Sequence, residues 1–398
     1  MKNKGRIRII ALLCCGMLMG SVIPFHADSA LPAGYIPIAT EQELLAVQQQ
    51  LDGNYMLTQD ITLSEAFSPL APDEDMPFTG VLDGAGHVIS GLRIEVQGSG
   101  TMQAGLLGYN AGTVTGLSLE QVVITAEGTD AYANAVTYAG GIAARNAGII
   151  EKCSVSGRIA AQSRSFKAIA GSIAGENTGE ISRCAAFAGV SATGAEEAIA
   201  GGICGWNQNC VSNSFNTQTV EALGSAVNGM LYSGGIAGKN GLAGDGTLQN
   251  CYNRGNTLAH GASPAQAGGI AGSNLAEIRN CYYDQEKAAS AVGGSDEQTG
   301  ALTDQQLQNS ASFAGFDFTA VWAMRDYPIL RDVRQMSNII VGDVDTNGIV
   351  ETADVLLLLH VLNGNTSFRP TLEAADLSGD GRLSIADAVF LLQQLAGM

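Results

Sequence analysis

Gly235-Ile-Ala-Gly-Lys-Asn240 and Gly269-Ile-Ala-Gly-Ser-Asn274 render one phrase that the chain uses six times between Thr101 and Asp284. The other four copies are Gly105-Leu-Leu-Gly-Tyr-Asn110, Gly141-Ile-Ala-Ala-Arg-Asn146, Gly171-Ser-Ile-Ala-Gly-Glu-Asn177 and Gly202-Ile-Cys-Gly-Trp-Asn207. Their asparagines are spaced by 36, 31, 30, 33 and 34 residues, a period that signals a solenoid. The apolar runs within each period are three or four residues long and broken by glycines, too brief for helices, so the predicted unit is a coil of short strands stacked about 4.8 Å from the next. In such a stack Ile142, Ile173, Ile203, Ile236 and Ile270 form one inward column, and the asparagines form a hydrogen-bonded column at a corner. The 51 glycines among 398 residues suit many corners and no large compact core.

Three copies run on to a cysteine seven positions after the asparagine: Cys153, Cys184 and Cys281. Cys251 fits with an insertion between Gly241 and Asp245, and Ser214 takes the place after Asn207. Parallel in-register side chains seldom give a disulfide dihedral, so buried free thiols are expected, although an even count of six cysteines beyond the N-terminal segment permits disulfides. The sequence Gly-Gly-Ile-Ala-Gly-x-Asn, followed by Asn-Cys-Tyr, resembles the GLUG repeat of bacterial surface proteins. That resemblance implies a mostly β chain built on a right-handed parallel β-helix in an extracellular location, and it implies no catalysis by itself.

The flanks are expected to close the solenoid. Residues 30–100 supply an N-terminal cap and the first coils, with a capping box of Thr40 and Glu43 opening a short helix. Residues 101–290 are the repeats. Residues 291–331 gather Phe313, Phe316, Phe318, Trp322 and Tyr327-Pro328-Ile329-Leu330, aromatics expected to seal the far end or, alternatively, to present a carbohydrate platform. Residues 332–340 are the expected linker.

Beyond it stand two copies of an acidic, glycine-centred loop, Asp343-Val-Asp345-Thr-Asn347-Gly348-Ile349-Val-Glu351-Thr-Ala-Asp354 and Asp376-Leu-Ser378-Gly-Asp380-Gly381-Arg382-Leu-Ser384-Ile-Ala-Asp387, at an offset of 33. Oxygen-bearing side chains occupy loop positions one, three, five, nine and twelve, and a glycine at six permits the turn that lets them converge on one hard cation. An EF-hand would place a helix before each loop and Glu at position twelve; here the preceding segment is too short and Asp stands at twelve. In those departures residues 341–398 resemble a type I dockerin, the small all-α module by which secreted proteins of cellulosome-forming bacteria attach to cohesins. The resemblance implies two calcium ions. One would be held by Asp343, Asp345, Asn347, Glu351, Asp354 and the Ile349 carbonyl, the other by Asp376, Ser378, Asp380, Ser384, Asp387 and the Arg382 carbonyl. It also implies that Thr352-Ala353 and Ile385-Ala386 face the cohesin. Val355 to Leu362 and Ala388 to Leu395 are predicted helices whose apolar side chains should mostly form the module's own core.

At the other end, Lys2, Lys4, Arg6 and Arg8 precede an apolar run from Ile9 to about Ile23, and the pattern is that of a signal peptide over residues 1–29. Removing that segment, with its four bases and one acid, takes the formal charge from −18 to −21. So acidic a surface repels nucleic acid and anionic lipid, and no other stretch is apolar and long enough for a membrane span.

The sequence offers no local catalytic constellation. The metallopeptidases that cleave immunoglobulin A and carry GLUG repeats also have a zinc domain, whereas no His-Glu-x-x-His or Gly-x-Ser-x-Gly occurs here. Polysaccharide lyases and glycoside hydrolases on β-helices remain the enzymatic alternative. Their test is acid alignment across coils: Glu180 and Glu277 fall three coils apart, too far for a glycosidase pair, whereas Glu151 and Glu180 fall one coil apart, within range of an inverting pair, each beside a base. The expectation is a secreted component that docks through calcium and presents the solenoid to glycan or a surface; an adhesin is a further alternative.

Overall fold

The structure, a computed structural model, describes residues 31–129, 134–224, 229–242, 244–261, 265–295, 298–335, 342–344, 350–363, 372–378 and 382–396. The expected signal peptide lies outside the described residues. One coil of the solenoid runs Val136–Gly140, Ala143–Asn146, Ile149–Glu151 and Ser154–Ser163. Corresponding strands of successive coils pair in parallel, and they build four stacks of nine, twelve, six and six strands.

Two residue types set the corners. Gly201 and Gly234 close the turn into the next strand, and a Cβ on either would stand 1.8 Å from the carbonyl oxygen of Cys204 or Ala237, which no side chain can occupy. At the following corner Asn110, Asn146, Asn177, Asn207, Asn240 and Asn274 lie in register. From Asn110 to Asn240 each Nδ2 donates to the Oδ1 of the asparagine one coil on, at 2.7 to 2.8 Å, and Asn274 Nδ2 donates to the Ala276 carbonyl. The same side chains also fold the local turn, since Gly112 N–H donates to Asn110 Oδ1 and Ala276 N–H to Asn274 Oδ1. A buried amide column is tolerated because donors and acceptors meet in every coil. Inside, Ile142, Ile173, Ile203, Ile236 and Ile270 are fully buried.

The cysteine column explains its serine. The residues after Cys153, Cys184, Ser214, Cys251 and Cys281 stack in register. Each of the five side chains donates to the carbonyl two residues before it, Ser214 Oγ at 2.8 Å and the thiols at 3.2 to 3.4 Å. Cys and Ser are therefore interchangeable in this one bond, and the six described cysteines are free.

The N-terminal helix Glu41–Ala46 is capped by Thr40 Oγ1, which accepts from Glu43 N–H at 3.2 Å. Its Leu44, with Val47 and Ile38, enters the same core as the first coils. The C-terminal aromatics take a different path from the one expected. Only Ser290 to Leu302 extends the last coil, through Ala291, Val292 and the strand Ala301–Leu302. The chain then doubles back over the outward face, where Phe187, Phe215 and Tyr252 emerge from successive coils and meet Phe313, Phe316 and Trp322. The Tyr252 hydroxyl donates to the Pro328 carbonyl at 2.5 Å. Val333 is buried in this cluster, and Asp332 and Arg334 pair with Arg183 and Glu120 of the coils. These aromatics cover the flank, not the end, and Phe313, Phe316 and Trp322 are too buried to serve as a platform.

Candidate calcium and docking module

Two helices of equal length, Thr352–Leu362 and Ile385–Leu395, follow the two acidic loops. Each is entered through a capping box closed by the carboxylate at loop position twelve. Asp354 Oδ2 accepts from Glu351 N–H at 2.8 Å and its Oδ1 from Val344 N–H at 2.8 Å. In the second copy Asp387 Oδ2 accepts from Ser384 N–H at 2.7 Å and its Oδ1 from Ser378 N–H at 2.9 Å. One aspartate thus ties the start of its loop to the start of its helix. This accounts for Asp at position twelve: the shorter side chain reaches both N–H groups from the first helical turn, where negative charge is also favoured.

The described ligand candidates supply oxygen only, the chemistry a hard cation selects. Asp343, Asp354 and Asp387 are 2, 0 and 0% exposed, and backbone N–H donors hold the carboxylates of Asp354 and Asp387 in place there. Ser378 Oγ donates to Asp376 Oδ1 at 3.1 Å, which draws loop positions one and three together. Burial pulls the Asp387 carboxyl upward, but the backbone and hydroxyl donors of Ser378 and Ser384 outweigh it and leave the group below its ordinary range. Asp345, Asn347, Ile349 and Asp380 lie outside the described residues. Among the described residues no three metal-binding side chains converge. Glu351 and Ser384 flank the helix starts, and Arg382 is an exposed residue of the second loop.

The two helices pack on each other around Val344, Val355, Leu358, Ala375, Ala388 and Leu391. Val355 and Leu358 recur as Ala388 and Leu391 at the 33-residue offset, so the core has an approximate twofold relation. Leu357, Leu362 and Leu395 pack against that core, so seven of the thirteen apolar side chains of Val355 to Leu362 and Ala388 to Leu395 belong to it. Leu356, Leu359, Val389, Phe390 and Leu392 are 40 to 59% exposed, because two short helices in contact bury one stripe each and leave the rest outside. Thr352, Ala353, Ile385 and Ala386 are also exposed, Ile385 most of all at 69%.

On the solenoid the acids tested from sequence do not make a free pair. Glu151 stands opposite Ser182, and Glu180 opposite Ile149. Glu151 is engaged by Arg183 at 2.9 Å and by Thr115 at 3.3 Å. Two other acids, Glu176 and Glu197, were missed. Glu176 occupies the variable position of the repeated phrase, in one outward column with Tyr109, Arg145, Trp206 and Lys239. Arg145 bonds Glu176 at 2.7 Å and lies over the rings of Tyr109 and Tyr138. Lys239 bonds Glu197 at 3.0 Å and lies over Trp206 and Tyr232. Burial opposes ionisation of Glu197, yet hydrogen bonds from Lys167 and Lys239 hold its carboxyl below the usual range. Burial beside Glu176 pushes the Tyr138 hydroxyl up to about 12. Aromatic faces already covered by cations form a cross-coil brace, worth about 0.5–2 kcal/mol per contact.

No curated protein matches the chain. The chain is similar in structure to a Bacteroides ovatus protein described as a candidate immunoglobulin A1 protease, with a TM-score of 0.55 and 19% identity over 75% of this chain and 92% of that one. That likeness concerns the fold alone. Residues 341–396 match the family of the dockerin type I domain. Type I dockerins bind calcium, and a dockerin implies docking to a cohesin of the cellulosome type. Residues 341–396, the tail that follows the β-solenoid, are a type I dockerin.

Proposed function

We propose that the protein is an exported component that docks through two calcium-loaded loops to a cohesin module on a scaffold or cell-surface protein, and that its solenoid binds glycan or a surface during polysaccharide breakdown. The observation that carries this reading is the paired use of Asp354 and Asp387. Each buried carboxylate fastens one loop to one helix and so couples ion uptake to the shape of the exposed helical face. The ligand set is Asp343, Asp345, Asn347, Glu351 and Asp354 with the Ile349 carbonyl, and Asp376, Ser378, Asp380, Ser384 and Asp387 with the Arg382 carbonyl. The cohesin-facing positions are Thr352, Ala353, Ile385 and Ala386. The solenoid acts as a binding surface: Glu151 is spent on Arg183, and Glu176 and Glu197 on Arg145, Lys167 and Lys239. Retention of the full chain on immobilised cohesin is expected in calcium and not in chelator, and a chain lacking residues 341–398 is expected to pass through. Retention that survives both treatments would overturn the docking reading, and new reducing ends or unsaturated products from plant polysaccharide or mucin would overturn the non-catalytic one.

A further inference from the structure

Where the doubled-back tail crosses the early coils it leaves a cavity of about 330 Å³, lined among others by Asp83, Thr115, Ser118, Lys152, Arg331 and Arg334. We propose that this cavity binds an acidic sugar, taking the carboxylate of a uronic acid residue on Lys152 and Arg331 and its hydroxyls on Asp83, Thr115 and Ser118. The inference rests on the glycan-binding reading above and assigns that reading a place and a ligand class.

The backbone supplies the first argument. The residue after the third strand of each coil adopts a left-handed conformation, and the column runs Gly116, Lys152, Arg183, Asn213, Asn250 and Asn280, with φ between 47 and 61°. Gly and Asn suit that conformation, whereas a long side chain adopts it only against a steric penalty. The three asparagines bond along the column. Arg183 has a structural reason to depart from the pattern, since it bridges Glu151 and Asp332. Lys152 has none of that kind: among the described residues no carboxylate lies within ion-pair distance of its ammonium. A strained cation facing a cavity in a chain of formal charge −18 is a binding feature that the fold alone does not require.

The lining then selects the ligand. Arg334 is held by Glu120 at 3.2 Å, and Asp332 by Arg183 at 3.3 Å. Arg331 donates from one nitrogen to the Phe318 carbonyl, which leaves its other N–H groups for a second acceptor. Asp83 accepts Ala85 N–H through Oδ1 at 2.8 Å. Lys152 and Arg331 therefore offer positive charge for one anionic group, while Asp83 and the two hydroxyls offer acceptors for sugar hydroxyls. A phosphate dianion, with twice the negative charge of a uronate and a single hydroxyl to donate, would meet Asp83 and Asp332 unfavourably. The volume lies at the low end of the roughly 300–1,000 Å³ range of small-molecule pockets, enough for one sugar ring and its substituents.

The test is calorimetry of the full chain with digalacturonate, cellobiose and inorganic phosphate, repeated on Lys152→Asn and Lys152→Arg. Asparagine already serves at the same corner in three later coils, so Lys152→Asn should melt no lower than the parent while losing at least tenfold in digalacturonate affinity, and Lys152→Arg should restore most of it. Cellobiose should bind at least tenfold more weakly, and phosphate should not compete. Equal binding of neutral and acidic sugars, equal affinity of Lys152→Asn, effective competition by phosphate, or no digalacturonate binding would each overturn the proposal. If neutral glycans bind and remain indifferent to Lys152→Asn, the glycan-binding reading stands and this site falls.

Discussion

At the scale of single residues, the solenoid is held by side chains whose partner is the same residue one coil away. Asn177 accepts from Asn146 and donates to Asn207 and to the Cys210 carbonyl. Asn177→Ala should therefore orphan buried groups on both sides and cost about 3 kcal/mol, read as a lower midpoint in guanidinium unfolding; a change under about 0.5 kcal/mol would mean the amide column is ornamental. Ser214→Ala removes the acceptor of Cys184 N–H and should cost about 1–3 kcal/mol, with Ser214→Cys costing less. Burial pushes the Cys153 and Cys251 thiols well above their ordinary range. The folded state thus retains protons that unfolded thiols release above about pH 8.5, so stability is whole below that pH and falls as pH rises above it. Iodoacetamide at pH 8.5 should leave the four buried column cysteines unmodified until denaturant is added. The asparagine and cysteine columns were legible because identity repeats. The column Tyr109, Arg145, Glu176, Trp206, Lys239 was equally present in the phrase but was passed over, since its members share a position and not a residue type.

At the scale of elements, two helices and one returning segment decide what is covered. Leu358 and Leu391 close the dockerin core, whereas Phe390 and Leu356 point to solvent. Phe390→Ala should leave the calcium-loaded module as stable within about 0.5 kcal/mol and weaken retention on cohesin; a large loss of helical signal would place Phe390 in the core after all. Helical periodicity gave the two helices but could not divide their apolar residues between core and surface. In a module this small the division depends on the contact between the helices and not on either sequence alone. Residues 303–335 pose the same problem in another form. Their aromatics were visible, but their partners are Phe187, Phe215 and Tyr252, which stand on the strands after the cysteine column, where no single residue type repeats. Trp322 is fully buried and stacks on Phe316 with centroids 4.6 Å apart, so Trp322→Ala should cost about 3–5 kcal/mol and expose the flank to a hydrophobic dye.

At the scale of the whole molecule, the two modules store stability in different ways. Each solenoid coil contacts its neighbours through parallel strands, so its stability is close to a sum over adjacent coils and owes nothing to calcium. Among the described residues the dockerin has a core of six buried apolar residues and three buried aspartates, Asp343, Asp354 and Asp387, a small core whose order is expected to depend on the ion. The order of modules was legible from local spacing alone: a 30 to 36 residue period here, a twelve-residue acidic loop there. The two halves should consequently answer calcium differently. Above the dissociation constants, each tenfold rise in free calcium should stabilise the dockerin by about 1.4 kcal/mol per occupied site, and two sites should move its melting transition twice as steeply as one. The solenoid transition should stay fixed through the same titration and in a chain lacking residues 341–398. Asp387→Ala removes the carboxylate that ties the second loop to its helix, and it should reduce the calcium dependence to the slope of one site. Scanning calorimetry at several calcium concentrations separates these outcomes, and a slope unchanged by Asp387→Ala would show that the second loop does not hold an ion.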